Sequence, residues 1–168
     1  LRALFEQLGR DDTEAIVHFE PDLSGFAQQA GDPRDLVVPL SATALPELVG
    51  VPDTFAGLAQ AVVRLRDRYA PRVLLAYQVS LWGNGSDLVY EPSEPRAAEA
   101  GAAAARFYDA FDANFDLAFA EFSDRDSGFK EDQYGDGGAS WWTPATFARH
   151  LAFLEAFRSA TGLDLMLW

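Results

Sequence analysis

Glu20 closes a short apolar run, Ile16-Val17-His18-Phe19-Glu20-Pro21-Asp22, and Glu121 closes another, Phe115-Asp116-Leu117-Ala118-Phe119-Ala120-Glu121. Two carboxylates facing each other across a cleft are the minimum equipment for cleaving a glycosidic bond, one protonating the leaving oxygen and the other serving as base or nucleophile. Strands lie about 4.8 Å apart, so carboxylates on next-but-one strands start roughly 10 Å apart at the backbone. Side-chain reach closes that to about 5–9.5 Å, which covers both the retaining and the inverting geometry. Glu20 reads as the proton donor and Glu121 as its partner. A donor must hold its proton near neutral pH, which an acidic neighbour and apolar surroundings favour; Asp22, Phe19 and Phe26 supply both. His18 alternates with Glu20 and on a strand would share its side of the sheet, where it could orient the glutamate or a substrate hydroxyl. Asp124 could tune Glu121 in the same way.

The aromatic residues near these ends suit a sugar ligand. Trp82, Trp141, Trp142 and Trp168 fall at or just beyond the ends of apolar runs or before a helix start, where an indole face can stack on a pyranose ring. Tyr77 and Gln78 can add hydrogen bonds. A tryptophan pair before a helix also serves to staple that helix to a rim, and Trp168 can fill a barrel interior. Lys130 is the single lysine among 13 basic residues and sits in a loop after a strand, which makes it a candidate substrate contact beside the plainer reading of a solvated cation, the usual state of a lysine. His150 lies in an apolar helical stripe and reads as structural. Asp124 and Asp126 alternate as in a calcium loop, but the remaining ligand positions are not filled. No Gly-rich phosphate loop follows the first run and no Gly-x-Ser-x-Gly elbow occurs, which disfavours a dinucleotide and a serine nucleophile. No metal and no cofactor are expected. A mixed site of Glu20, Glu121, Asp124 and His18 is the metal-assisted alternative, for a hydrolase or an isomerase.

Two further runs complete the set that must position these residues, Val73-Leu74-Leu75-Ala76-Tyr77-Gln78-Val79-Ser80 and Leu163-Asp164-Leu165-Met166-Leu167-Trp168. All four are short and rich in Val, Leu or Phe, as strands buried on both faces are. Helical patterns fill the intervals. Leu1, Leu4, Phe5 and Leu8 open the chain inside a helix that Gly9 and Asp11-Asp12 close, and Leu23 to Ala30 forms a short one. Phe55, Leu58, Ala59, Val62, Leu65 and Tyr69 make one stripe behind Asp53 as N-cap, and Ala97 through Phe111 is helical. Thr143-Pro144 opens the last helix and Gly162 ends it, with Phe147, His150, Leu151, Leu154 and Phe157 on its core face. Gly31 to Gly50 reads as a crossover loop or broken helix, Trp82 to Pro95 as loop, and Ser123 to Gly138 as a long polar loop. Strands alternating with helices mean the α/β class and a parallel sheet, whose ligand site lies at the carboxyl ends of the strands. A helix first and an uncovered strand last predict about half of a TIM-type (β/α)8 barrel, residues 1–168 being a single segment incomplete at both ends of a longer chain.

Composition narrows the partners. A formal net charge of −13 argues against a nucleic-acid backbone and against anionic membranes, while a neutral sugar or a cation is compatible with it. A hydrophobic content of 49% is ample for a core, and the strand runs contain no stretch of about 18 apolar residues that could span a bilayer. The absence of cysteine excludes disulfides and thiolate chemistry, and two histidines exclude an all-histidine metal cage. Arginine in place of lysine and the alanine-rich stretch from Ala97 to Ala105 point to a GC-biased bacterial genome. A secreted or cell-surface protein is expected, with any export signal upstream of Leu1.

Glu20-Pro21 resembles the strand-ending glutamate of the (β/α)8-barrel glycoside hydrolases, the clan that includes cellulases and mannanases. The resemblance implies a general acid/base at Glu20. It also implies a nucleophile from the strand three further along, here the one ending at Trp168, so that the second carboxylate could lie beyond it. That clan carries asparagine before the glutamate, where Phe19 stands here. Glu20-Pro21-Asp22 is similar as well to the Glu-Pro-Asp of glycoside hydrolase family six, whose aspartate sits in the active-site cleft. The stretch Glu121-Phe122-Ser123-Asp124-Arg125-Asp126 with the Trp141-Trp142 pair looks like uncharacterised bacterial barrel proteins. The expected activity is cleavage of an O-glycosidic bond in a polysaccharide or oligosaccharide, the alternative being a carbohydrate-binding barrel without catalysis.

Overall fold

Four strands, β1 (Ile16–His18), β2 (Leu74–Gln78), β3 (Leu117–Ala120) and β4 (Asp164–Leu167), form one all-parallel sheet in the order β1-β2-β3-β4. This is the arrangement in a computed structural model that describes residues 1–11 and 14–168. Asp12, read above as part of the first helix stop, lies outside the described residues. The helices are α1 (Arg2–Arg10), α2 (Pro21–Ala30), α3 (Phe55–Tyr69), α4 (Glu94–Asp109), α5 (Ser127–Tyr134) and α6 (Pro144–Thr161). Sequential order follows from the connections, since a parallel neighbour can be reached only by a crossover long enough to hold a helix.

The two faces of the sheet differ. In register, His18 lies beside Ala76, Ala76 beside Leu117 and Leu117 beside Asp164, so these residues and those two positions along share one face. The alternate residues Leu75, Tyr77, Val79, Ala118 and Ala120 point the other way into the core, against Phe111 of the α4 C-terminal turn and Phe153 and Phe157 of α6. The first face carries Ile16, Leu74 and Met166, all more than 40% exposed, with Trp168 just past β4. Helices therefore cover one face, and an apolar strip stays open on the other.

That asymmetry corrects the expectation of four strands buried on both faces. It holds for β2 and β3 apart from the exposed Leu74 and the half-buried Phe119, while β1 and β4 are edge strands whose residues are exposed or half-buried. β1 also ends at His18, because Glu20 turns the chain into α2.

Several boundaries differ from the pattern reading. Thr54, not Asp53, caps α3 by accepting from the Gly57 N–H at 3.0 Å. Asp53 instead accepts from Ser41 N at 2.7 Å and Ser41 Oγ at 2.5 Å, clamping the crossover between α2 and α3. The polar stretch from Ser123 to Gly138 contains α5, and the loop after β2 contains a 3-10 turn at Leu88–Tyr90. On α6, His150, Phe153, Leu154 and Phe157 are buried while Phe147 and Leu151 are exposed, so the inward stripe is rotated from the one drawn above. Thr143 caps α6 through Thr146 N, and Gly162 ends it at φ 72°, a left-handed conformation that glycine adopts without a Cβ clash. No helix among the described residues is long and apolar enough to cross a membrane.

Candidate functional site at the carboxyl ends of the strands

Two adjoining hollows, sharing Asp22, Leu81, Trp82, Glu121 and Arg125, form one cleft where the strands end. Glu121 follows β3 directly and reaches the cleft with its backbone fixed in the sheet. Burial pushes its carboxyl above the usual range, and the nearby Arg125 guanidinium, at 2.8 Å from Oε1, works against that rise. Ser123 Oγ donates to the same oxygen at 3.5 Å. Asp22, in the first turn of α2, lines both hollows.

Glu20 has a different position from the one expected. It is the N-cap of α2, its carboxylate accepting from Asp22 N at 3.3 Å and Leu23 N at 2.6 Å, and it lines neither hollow. The free N–H groups of a helix start need an acceptor, and here a glutamate supplies it. The idea that His18 and Glu20 project together from one strand is corrected by the same turn.

His18 sits below the cleft on the open face, its ring 4.6 Å from Phe119 and 6.5 Å from Trp168. Burial lowers its pKa, with the neighbouring Gln78 amide and Glu20 opposing. Gln78, 5% exposed, lines the inner hollow. His18 Nε2 and Gln78 Oε1 are both buried without a partner in hydrogen-bonding geometry. Tyr77 is corrected outright, since it points into the helix-covered core and stacks on Phe157.

The tryptophans divide. Trp82 lines the cleft, edge-on to Phe26, and its place depends on Gly25: a Cβ there would lie 2.6 Å from the indole and 2.7 Å from Ser80 Oγ. Trp168 lines the inner hollow at 49% exposure, with the Arg125 guanidinium 5.2 Å from its ring centroid. Trp142 lines the outer hollow but packs on His150 at 4.0 Å and on Phe122, which makes it chiefly the staple between α6 and the rim. Trp141 lies outside both hollows and donates from Nε1 to Glu131 at 2.8 Å.

Asp124 lines the outer hollow and accepts from Trp142 N at 3.4 Å. Lys130 is there too, tied to Asp87 at 2.6 Å; burial is the largest influence on its pKa and lowers it, but the bond to Asp87 and the charges of Asp87, Tyr90 and Asp126 together carry the net shift upward. His150 is structural as expected, Nδ1 facing Thr146 O at 2.9 Å, with its pKa lowered by burial. Sequence reasoning missed Arg125, Asp87 and Ser80. The four-residue step from Glu121 to Arg125 was a weak signal for the first, and the lone lysine's need for a counter-charge was one for Asp87. Among the described residues no three His, Asp or Glu side chains converge to hold a metal ion, so the mixed set of Glu20, Glu121, Asp124 and His18 does not assemble.

A larger hollow of about 560 Å³ lies at the opposite ends of the strands. Three of its charged residues are committed to one another: Arg66 pairs with Asp116 at 2.5 Å and Asp67 at 2.7 Å and donates to Val73 O, while Asp116 also accepts from Leu75 N. Size does not make it the site, because parallel sheets place ligands at the carboxyl ends. Comparison with protein-family models, curated proteins and solved structures gives no match.

Proposed function

We propose that the chain is a glycoside hydrolase-type β/α unit that cleaves O-glycosidic bonds in a polysaccharide or oligosaccharide, with Glu121 as general acid. The observation that carries this reading is a half-buried carboxyl with raised pKa, at a parallel strand end, sharing a cleft with Asp22, Trp82 and Trp168. The protonated Glu121 gives its proton to the glycosidic oxygen as the bond to the anomeric carbon breaks and its electron pair stays with the leaving oxygen. Asp22 is the partner carboxylate, taking a proton from the water that adds to that carbon or adding to it first. Glu20 moves from donor to helix cap in this scheme. The indoles of Trp82 and Trp168 supply flat apolar faces for sugar rings.

The single-file sheet with one open apolar face supports the finer reading that this is about half of a (β/α)8 barrel. Eight strands make an interior that side chains fill, and further strands paired along β1 and β4 would cover Ile16, Leu74 and Met166. The test of function is release of reducing ends from β-glucans, mannans and xylans. Glu121→Gln is expected to lose about 100-fold or more in kcat with its circular dichroism unchanged. Glu20→Ala is expected to keep kcat and lose about 0.5–2 kcal/mol of stability through its cap. Full turnover in Glu121→Gln removes the assignment. The Glu121–Arg125 pair favours, as second reading, a binding module without catalysis, for which retention on a polysaccharide without new reducing ends is the sign.

A further inference from the structure

We propose that Arg125 is a positioning residue displaced by substrate: its guanidinium lies over Trp168 and pairs with Glu121, so a sugar ring seated on Trp168 must move it and release the carboxylate. The inference rests on the sugar-cleaving reading of the cleft. Two contacts carry it, the 2.8 Å approach of Arg125 Nε to Glu121 Oε1 and the 5.2 Å approach of the same guanidinium to the Trp168 ring. One cation therefore occupies the stacking surface and neutralises the acid together. Arg125 is itself well exposed, so nothing buried holds it there.

The charged groups around Glu121 come from every neighbouring element. Asp22 stands on α2, Asp87 before the 3-10 turn, and Asp124 and Asp126 beside Arg125 in the loop. Lys130 on α5 is held by Asp87, and His150 on α6 is turned to its own helix. Arg125 is thus the one cation of the cleft bonded to Glu121 among the described residues. With it displaced and a sugar excluding water, the remaining acids and the loss of solvent both favour the protonated carboxyl. A carboxyl that takes up its proton from solvent as the ring arrives is armed as a general acid only when substrate is present.

The test is binding of cellohexaose and mannohexaose, each titrated into the wild type and Arg125→Met, with the Glu121 carboxyl followed by NMR across pH. Arg125→Met is expected to bind one of them about 3- to 30-fold more tightly, from the loss of an exposed cation–π contact and an exposed ion pair that binding must otherwise break. In sugar-free protein the Glu121 midpoint is expected to be higher in the variant, and with sugar bound the two proteins are expected to converge. Equal affinities with midpoints that stay apart in the bound state overturn the displacement while leaving sugar binding intact. Binding of neither hexasaccharide by either protein overturns the sugar reading itself.

Discussion

Gly101→Ala is expected to destabilise the fold, whereas Gly128→Ala, the same change in another helix, is expected to leave it unharmed or firmer. A Cβ at Gly101 would lie 2.2 Å from Phe153 O, 2.9 Å from Phe153 C and 3.1 Å from its Cα. These are backbone atoms of α6 and cannot rotate aside, so α4 and α6 must part by about 1 Å, enough to forfeit a quarter to a half of each dispersion contact at the crossing. Overpacking of this kind costs about 1–3 kcal/mol, and alanine returns about 0.8–1.0 kcal/mol of helix propensity. With rigid atoms in the way the upper part of the cost applies, leaving a net loss of about 1–2 kcal/mol. For a domain of this size that is a fall in Tm of about 2–8 °C. At Gly128 the nearest atom would be Trp141 Cζ2 at 3.8 Å, ordinary contact, so the propensity gain stands alone. Urea unfolding followed by circular dichroism reads both. A midpoint for Gly101→Ala equal to or above the wild type, with an unchanged m-value, would refute the reasoning.

Half-buried His18 and buried His150 have lowered pKa values, so below about pH 6.5 the unfolded chain takes up protons that the folded one does not. Their contribution to stability is present above that pH and lost as pH falls; Glu121, raised by burial, runs the other way, penalising the folded state as pH rises. Thermal melts from pH 8 to 5 are expected to show Tm falling through the histidine window, and a flat profile would contradict the desolvation of the two rings. The barrel reading is read by hydrogen exchange in a longer polypeptide carrying these residues: amides on the outer edges of β1 and β4 should be protected by added strands, and exchange at free-amide rates would dismiss it.

The parallel α/β class was legible because each strand run is short and each interval carries a helical stripe bounded by a cap or a glycine, as at Thr143 and Gly162. What misled was the assumption that apolar runs are buried on both sides. Leu74 and Met166 are as hydrophobic as Leu75, but only the register of the sheet decides which of them meets helices. Glu20 shows the same limit at the site. A strand-ending glutamate and an N-cap glutamate read identically in sequence, and the difference is one backbone turn at Phe19 and Glu20 that sends the carboxylate back onto its own helix. Tyr77 and Gln78 are neighbours with opposite fates, because successive strand residues face opposite sides.

The unsatisfied polar atoms connect the open face to the cleft. A buried donor or acceptor left without a partner costs about 1–3 kcal/mol; His18 Nε2 and Gln78 Oε1 lack one in full hydrogen-bonding geometry beneath Trp168, although the Gln78 amide lies close enough to the His18 ring to act on its pKa. Gln78 lines the hollow that Glu121 and Trp168 share, so in the proposed function its amide oxygen is the group there that a sugar hydroxyl would meet. The floor of the cleft is thus part of the same sheet face that carries the exposed Ile16, Leu74 and Met166.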